Sequence, residues 1–220
     1  MLSEFYDWYG QNKSIFILLN HYTNQGILPK TLYYISSIFF ITNFAVAYLL
    51  ILSYLTIKTI RSSNRIEFFW SWYYEMVKTG ICYSLFGFTF AALKFGVNLA
   101  RPFCSLDKAD FITIANTELE RCLSSFPSAH TGLSILATYC LWPHINKYYK
   151  CLCVLAILSV SLSRITLAMH YPSDIIYSSL ITILVIRASI TVFRLLKNNL
   201  ISSIGRIITT KIIRTSHSTD

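Results

Sequence analysis

Long apolar stretches without charge constrain the fold of this chain more than any other feature. No charged residue occurs between Lys30 and Lys58, and most of the residues between them are apolar. A helix that crosses a membrane needs about 20 such residues. Four more apolar stretches follow, at 79–99, 128–142, 148–169 and 175–193. The sequence therefore predicts an all-α integral membrane protein whose helical bundle has about five transmembrane helices.

The composition supports a membrane protein and argues against a soluble one. Charged residues make up 13% of the 220 residues and hydrophobic residues 54%. A soluble domain has about 25% charged residues, so this chain has too few to cover a water-exposed surface. A net charge of +9 would suggest a nucleic-acid ligand in a soluble protein. In a membrane protein, basic residues follow topology, so we expect no nucleic-acid partner.

The N-terminal segment differs from a secretory leader. Residues 1–30 have no basic start followed by an apolar core, so they do not resemble a cleavable signal peptide. The apolar stretch 14–19 is too short to span a membrane and favours a helix lying in the interface. We expect a single membrane domain with an interfacial segment at 1–30, a transmembrane core at 31–193 and a basic cytoplasmic tail at 194–220.

The distribution of Lys and Arg predicts the orientation of the bundle. Because successive spans alternate in direction, the loops fall on two sides. The loop 58–78, the turn at 147–150 and the tail after residue 193 together carry more Lys and Arg than the other side. The positive-inside rule places that side in the cytoplasm and the loop 103–127 outside. The tail itself is either a basic amphipathic helix on the inner leaflet or a frayed, solvated end.

The second predicted span carries cations where lipid does not favour them. Small and polar residues recur at steps of three and four, which places them on one helix face: Gly80, Ser84, Gly87, Ala91, Lys94, Asn98 and Arg101. Small residues allow close helix approach in lipid, so this face is expected to point into the bundle. Lys94 and Arg101 then point inward near the outer surface, toward an anion.

Polar residues also mark the outer ends of the later spans. Ser128 and His130 open the third span, Arg164 lies near the end of the fourth, and His170 and Asp174 follow it closely. Ionisable groups at membrane depth are functional candidates. Three cations, a hydroxyl, two imidazoles and one carboxylate suit a phosphate-like dianion. They do not suit zinc, which binds converging His, Cys or carboxylate ligands without surrounding cations.

The order and spacing of these residues resemble a known family, the type 2 phosphatidic acid phosphatases, which also include vanadium haloperoxidases and bacterial acid phosphatases. In chain order the three parts of the motif are Lys94-x6-Arg101-Pro102, Pro127-Ser128-Ala129-His130 and Ser163-Arg164-x5-His170-x3-Asp174. The family most often has Gly where this chain has Ala129. Many membrane-bound members have a further N-terminal span, which leaves a count of five to six spans open.

The resemblance implies a mechanism that needs no metal or organic cofactor. It implies that His170 attacks phosphorus and forms a phosphohistidine, that Asp174 orients that imidazole, and that His130 protonates the leaving oxygen. It also implies five residues that hold the phosphoryl oxygens: Lys94, Arg101, Ser128, Ala129 and Arg164.

A membrane-embedded lipid phosphatase is the leading hypothesis, with its active site at the outer ends of the helices. The candidate substrates are phosphatidic acid, phosphatidylglycerophosphate, undecaprenyl diphosphate and lipid A. The short chain resembles bacterial members, which predicts the inner membrane with the site facing the periplasm. Two alternatives stay open: a phosphotransferase that uses the same phosphohistidine, and a non-catalytic lipid-binding or transport protein with the same fold. The sequence does not indicate an oligomeric state.

The outward loop contains two of the six cysteines. Cys104 and Cys122 would face an oxidising compartment, so a disulfide and two free thiols are both compatible with the sequence. Four acidic residues in this loop are expected to form a solvated surface: Asp107, Asp110, Glu118 and Glu120.

Overall fold

The structure, a computed structural model, describes residues 2–118 and 120–217. Within these residues, ten α-helices follow one another in chain order: α1 (Leu2–Asp7), α2 (Gln11–Thr23), α3 (Leu28–Ser37), α4 (Ile41–Arg61), α5 (Arg65–Val97), α6 (Pro102–Ser105), α7 (Ala129–Leu141), α8 (Lys147–Thr166), α9 (Pro172–Leu196) and α10 (Ser202–His217). A 3-10 turn follows α7, and a π-helical turn separates α9 from α10. The expected all-α architecture is confirmed.

Within the described residues, four helical segments are long and apolar enough to cross a membrane: Ile41–Arg61, Arg65–Ser105, Lys147–Thr166 and Pro172–Lys211. They contain α4, α5, α8 and α9, respectively. The predicted span at 128–142 is instead the 13-residue helix α7, which is too short to cross a bilayer by itself. The predicted span at 31–57 is divided, because α3 ends at Ser37 and α4 begins at Ile41.

The buried positions of α5 differ from the predicted small-residue face. Cys82, Phe86 and Phe90 are buried, whereas Ser84 and Ala91 are exposed. Lipid is as apolar as a protein core, so van der Waals packing rather than burial from water selects the side chains at the inner positions. The four-residue spacing of the buried positions continues to Lys94, which is why the lysine still lies toward the inside of the fold.

The chain divides into two compact units. The first unit comprises residues 1–44 and 87–183 and includes every predicted site residue. In it, α8 packs against α2, α3 and α7. A small apolar core of Phe16, Ile165 and Ala168 joins α2 to the C-terminal end of α8. The unit therefore holds the end of α8, where Arg164 lies, in a fixed position.

The second unit comprises residues 45–86 and 184–220 and is built around aromatic side chains. Phe69, Tyr73, Phe193 and Ile201 form its buried cluster. Gly205 of α10 lies against the indole of Trp70, where a Cβ atom would overlap the ring. The tail is helical as far as His217. Residues 218–220 of the predicted cytoplasmic tail lie outside the described part of the chain.

Candidate active site

Lys94 lies in the last turn of α5, and its ammonium group is 3.5 Å from the carbonyl oxygen of Ser124. The helix ends three residues later at Val97, and Asn98 has a left-handed φ of 51°. The prediction that one continuous helix carries both Lys94 and Arg101 is therefore wrong. Asn is one of the few residues besides Gly that adopts this conformation readily, and here it reverses the chain.

Arg101 lies on an extended segment immediately before α6. Its backbone N–H donates to the carbonyl of Cys122 at 2.9 Å, which fixes the segment against the outer loop. The buried side chain donates from Nη1 to Oε2 of Glu120 at 2.7 Å and to Sδ of Met169 at 3.0 Å. Nε has no hydrogen-bond partner.

The end of α8 places Arg164 and His170 side by side. The N–H of Met169 donates to the carbonyl of Arg164 at 3.0 Å, and that of Ala168 donates to Ile165 at 3.0 Å. This pair of bonds is a Schellman motif, and Ala168 adopts the left-handed conformation that it requires, with φ of 54°. The N–H of His170 also donates to the carbonyl of Arg164, at 3.2 Å.

Asp174 lies in the first turn of α9, which begins at Pro172. Its carboxylate is fully buried. It accepts hydrogen bonds from the hydroxyls of Tyr6 (2.7 Å) and Ser125 (2.5 Å) and from the backbone N–H of Tyr171 (2.8 Å). Oδ2 lies 3.7 Å from Nδ1 of His170, which is an ion-pair distance and longer than a hydrogen bond.

The N-terminus of α7 supplies the third part of the motif. The Ser128 hydroxyl lies 3.1 Å from that of Thr131, and the Ser128 N–H donates to Oγ of Ser178 at 2.6 Å. Ala129 is the first residue of α7 and is helical, so its methyl group costs no backbone strain relative to Gly. The ring of His130 packs edge-on against Phe40, with centroids 4.7 Å apart.

The electrostatic environment of His170 keeps its imidazole neutral. Burial is the largest cause of a pKa well below the ordinary value for histidine. Three positive charges lower this pKa further, those of Arg164, Arg101 and Lys94, while a hydrogen bond with the backbone of Ser125 opposes them. The three predicted cations therefore all act on the ring that the sequence predicts to be the nucleophile.

Unsatisfied nitrogen atoms are concentrated in this site. Among the residues that the structure describes, five buried side-chain nitrogen or oxygen atoms have no hydrogen-bond partner. Four of them belong to predicted site residues: Nε of Arg101, Nε2 of His130, Nε of Arg164 and Nδ1 of His170. Buried polar groups are usually paired, so unpaired groups gathered around three cations indicate a binding site for an anion.

The donor set does not fit a metal ion as well as it fits an anion. In residues 2–118 and 120–217, no group of three or more His, Cys, Asp and Glu side chains has the geometry of a metal site. The nearby cations would also repel a divalent ion. We therefore interpret the cluster as a site for a phosphoryl group.

Several contacts of the site were not predicted from the sequence. Tyr6, Ser125 and Ser178 contact Asp174, yet none belongs to the motif. Glu120 is exposed, as expected for a solvated loop, but it also pairs with Arg101. Cys104 and Cys122 form a disulfide with their Cα atoms 5.7 Å apart. The serines and the cysteines lie within five residues of a motif residue in the sequence, but nothing local marks Tyr6.

Comparison with known proteins decides the family. The sequence model of the PAP2 superfamily matches residues 75–197, more than half of the chain and all of the predicted site. The chain belongs to the PAP2 superfamily. The predicted family resemblance is thereby confirmed, and with it the prediction that the protein is an enzyme of the phosphatase class.

The fold of this PAP2 member is similar to that of a solved structure. The crystal structure of Aquifex aeolicus LpxE matches it with a TM-score of 0.61 at 18% sequence identity. The match covers 81% of this chain and 93% of that chain. No curated protein matches the sequence. With its apolar helices, the chain is an integral membrane protein, and by its family it is a phosphatase of the PAP2 superfamily.

Proposed function

We propose that this PAP2 member hydrolyses a phosphate monoester or diphosphate of a membrane lipid through a phosphohistidine at His170. The observation that carries the proposal is the set of three buried, unpaired nitrogens of Arg101, His130 and Arg164, whose side chains lie near His170. A phosphoryl group provides the oxygen atoms that would satisfy the guanidinium donors. It also places phosphorus beside the imidazole of His170.

The three cations bind the phosphoryl oxygens in this proposal. Arg164 and Arg101 are buried, so their charges act through little intervening water. Lys94 adds a third charge from the last turn of α5. Preorganised positive charge around the equatorial oxygens is most of what a protein contributes to phosphoryl transfer.

The first half of the reaction transfers the phosphoryl group to the protein. A neutral imidazole nitrogen of His170 attacks phosphorus, and the bond between phosphorus and the lipid oxygen breaks. His130 gives a proton to that oxygen, so the lipid leaves as an alcohol or as a phosphate ester. Asp174, 3.7 Å from Nδ1 of His170, stabilises the positive charge that develops on the ring. Catalytic hydrogen bonds are often long in a free enzyme and shorten when substrate binds.

The second half of the reaction regenerates the enzyme. Water gives a proton to His130 and attacks phosphorus, and the bond to His170 breaks. Inorganic phosphate then leaves. The N-terminus of α7 provides the backbone N–H of Ala129 and a partial positive charge for the phosphoryl oxygens, and Ser128 provides its hydroxyl.

The outer loop supports a site on the oxidising side of the membrane. Cys104 and Cys122 are disulfide-bonded, and the loop between them reaches Arg101 through Glu120. Disulfides persist mainly outside the cytoplasm. We therefore propose that the site faces the periplasm from a bacterial inner membrane and that the chain functions as one membrane domain. A topology reporter fused after Ser216 should score as cytoplasmic, and an outward score would invert this orientation.

The lipid environment supports a lipid substrate. None of the most apolar part of Ile41–Arg61 is buried inside the protein, so this helix needs lipid around it. A site at the helix ends lies level with lipid headgroups while the acyl or prenyl chains remain in the bilayer. Phosphatidic acid, phosphatidylglycerophosphate, undecaprenyl diphosphate and lipid A all satisfy this description.

Release of inorganic phosphate tests the function. Purified protein and its His170→Ala variant are incubated in detergent with EDTA and each of the four lipids, and Arg121→Ala serves as a control for the loss of an exposed cation in the outer loop. We expect release by the parent and by the control but not by His170→Ala. Release that requires a lipid-phosphate acceptor would indicate a phosphotransferase. No turnover with any lipid or acceptor would indicate a binding or transport protein.

A further inference from the structure

The Asp174 carboxylate is held by a residue from the opposite end of the chain. Tyr6 in α1 donates its hydroxyl to Oδ1 of Asp174 at 2.7 Å, across 168 residues of sequence. The other oxygen, Oδ2, accepts from Ser125 and from the Tyr171 backbone, and it also faces Nδ1 of His170. Tyr6 is therefore the one partner that these contacts give to Oδ1.

The phenol of Tyr6 has the protonation state and the position that this hydrogen bond requires. Burial and the neighbouring charge of Asp174 raise the pKa of Tyr6, so its hydroxyl stays protonated and donates a hydrogen bond to the carboxylate. The ring lies edge-on to Phe126, with centroids 6.4 Å apart. Phe126 directly precedes the Pro127-Ser128 segment of the site, so the ring and the hydroxyl of Tyr6 contact two different parts of it.

The neighbouring helix holds α1 beside the site. Asn12 at the start of α2 is buried and donates Nδ2 to Oγ of Ser173 at 2.7 Å, while its Oδ1 accepts from the N–H of Ser173 at 3.1 Å. Ser173 is the residue before Asp174. The N-terminal segment is thus attached to the first turn of α9 at two successive residues, and α1 packs against α2.

We propose that Tyr6 is a positioning residue of the phosphatase site, whose hydroxyl orients the Asp174 carboxylate so that Oδ2 faces Nδ1 of His170. The side-chain torsion of an aspartate carboxylate is broad, so its orientation depends on its hydrogen-bond partners. Without the hydroxyl, Oδ1 is buried and unpaired, and the carboxylate rotates to regain a donor. This inference rests on the proposed function, because it assigns Tyr6 a role in the same reaction.

The variant Tyr6→Phe removes the hydroxyl and keeps the ring that packs on Phe126. We expect kcat to fall roughly tenfold, because a buried hydrogen bond to a charged carboxylate is lost, while KM stays unchanged because the phosphoryl-binding cations are intact. Single-turnover transfer of phosphate to His170 should slow by the same factor. Tyr9→Phe is the matched control, since Tyr9 is in the same segment and 84% exposed.

Testing Tyr6→Phe in a variant that lacks the Asp174 carboxylate separates a role in orienting that carboxylate from a role in folding or packing. In Asp174→Asn the carboxylate is absent, so Tyr6→Phe should cause no further loss of kcat. An equal loss in both backgrounds would show that Tyr6 acts on folding or packing and would overturn the proposal. Full activity of Tyr6→Phe beside an inactive His170→Ala would also overturn it while leaving the phosphatase mechanism intact. A parent protein that turns over no substrate would remove the proposed function and this role together.

Discussion

Oε2 of Glu120 lies 2.7 Å from Nη1 of Arg101. The arginine side chain is only 8% exposed and the glutamate side chain 42%. The carboxylate therefore neutralises one of the cations to which we assign phosphoryl binding. A phosphate dianion at Arg101 has to share this guanidinium with Glu120 or displace it.

Glu120→Gln should strengthen the binding of inorganic phosphate, because it removes a negative charge beside Arg101. We expect the inhibition constant for phosphate to fall roughly fivefold, which corresponds to about 1 kcal/mol for a partly exposed ion pair. Glu118→Gln, on the same loop and exposed, is the control. Equal inhibition of the parent and both variants would show that Glu120 does not compete with the product.

Arg164→Ala should lower kcat by about 10²- to 10³-fold, a loss of roughly 3 to 4 kcal/mol of transition-state stabilisation. The reason is that Arg164 is buried with an unpaired Nε in the proposed phosphoryl site. Steady-state phosphate release measures the loss. Arg121→Ala should retain activity, since Arg121 is exposed and stacks on Phe95. Similar losses in both variants would indicate a general effect of charge.

Replacing Cys104 and Cys122 by Ser should lower the free energy of unfolding by about 3 kcal/mol, because the disulfide closes a loop of 18 residues. Thermal unfolding in detergent measures this difference. Cys151→Ser is the control, because Cys151 is an exposed free thiol. Detection of six alkylated cysteines in the unreduced native protein would contradict the disulfide.

The lowered pKa of His170 predicts an imidazole that is still neutral when the pH falls below about 6.5, the ordinary pKa of histidine. In the unfolded chain this histidine takes up a proton below about pH 6.5. The unfolded state then binds more protons than the folded state, so His170 contributes a loss of stability as the pH falls through this range. NMR of ¹⁵N-histidine protein, assigned with His170→Gln, should show no titration of His170 there. A midpoint near 6.5 would contradict the electrostatic picture.

Local patterns were sufficient to predict most of the motif's surroundings. Hydropathy predicted apolar helices where α4, α5, α8 and α9 lie. The end of α5 was not predicted, because its apolar pattern continues past Val97 while Asn98 turns the chain through a left-handed conformation. The break before α4 was equally hidden, since residues 38–40 are as apolar as the helices on either side.

Contacts between distant segments were beyond the reach of sequence patterns. Tyr6 lies in an aromatic N-terminal segment that resembles an interfacial helix, and its partner Asp174 is far away in the chain. The pairing of Glu120 with Arg101 had to be distinguished from several equivalent pairings among charged loop residues. Such pairings depend on the tertiary position of α1 and of the outer loop, which no periodicity encodes.

The central claim is that His170 carries the phosphoryl group. His130→Ala is incubated with p-nitrophenyl phosphate, whose leaving group needs no proton, so formation of the intermediate proceeds while its hydrolysis is slow. Nitrophenolate is measured in the first turnover, and the protein is quenched in alkali for mass spectrometry. For His130→Ala the account predicts a stoichiometric burst of nitrophenolate and phosphate bound to His170. For the double variant His130→Ala/His170→Ala it predicts no burst and no bound phosphate. Phosphate on another residue, or a burst that persists in the double variant, would contradict it.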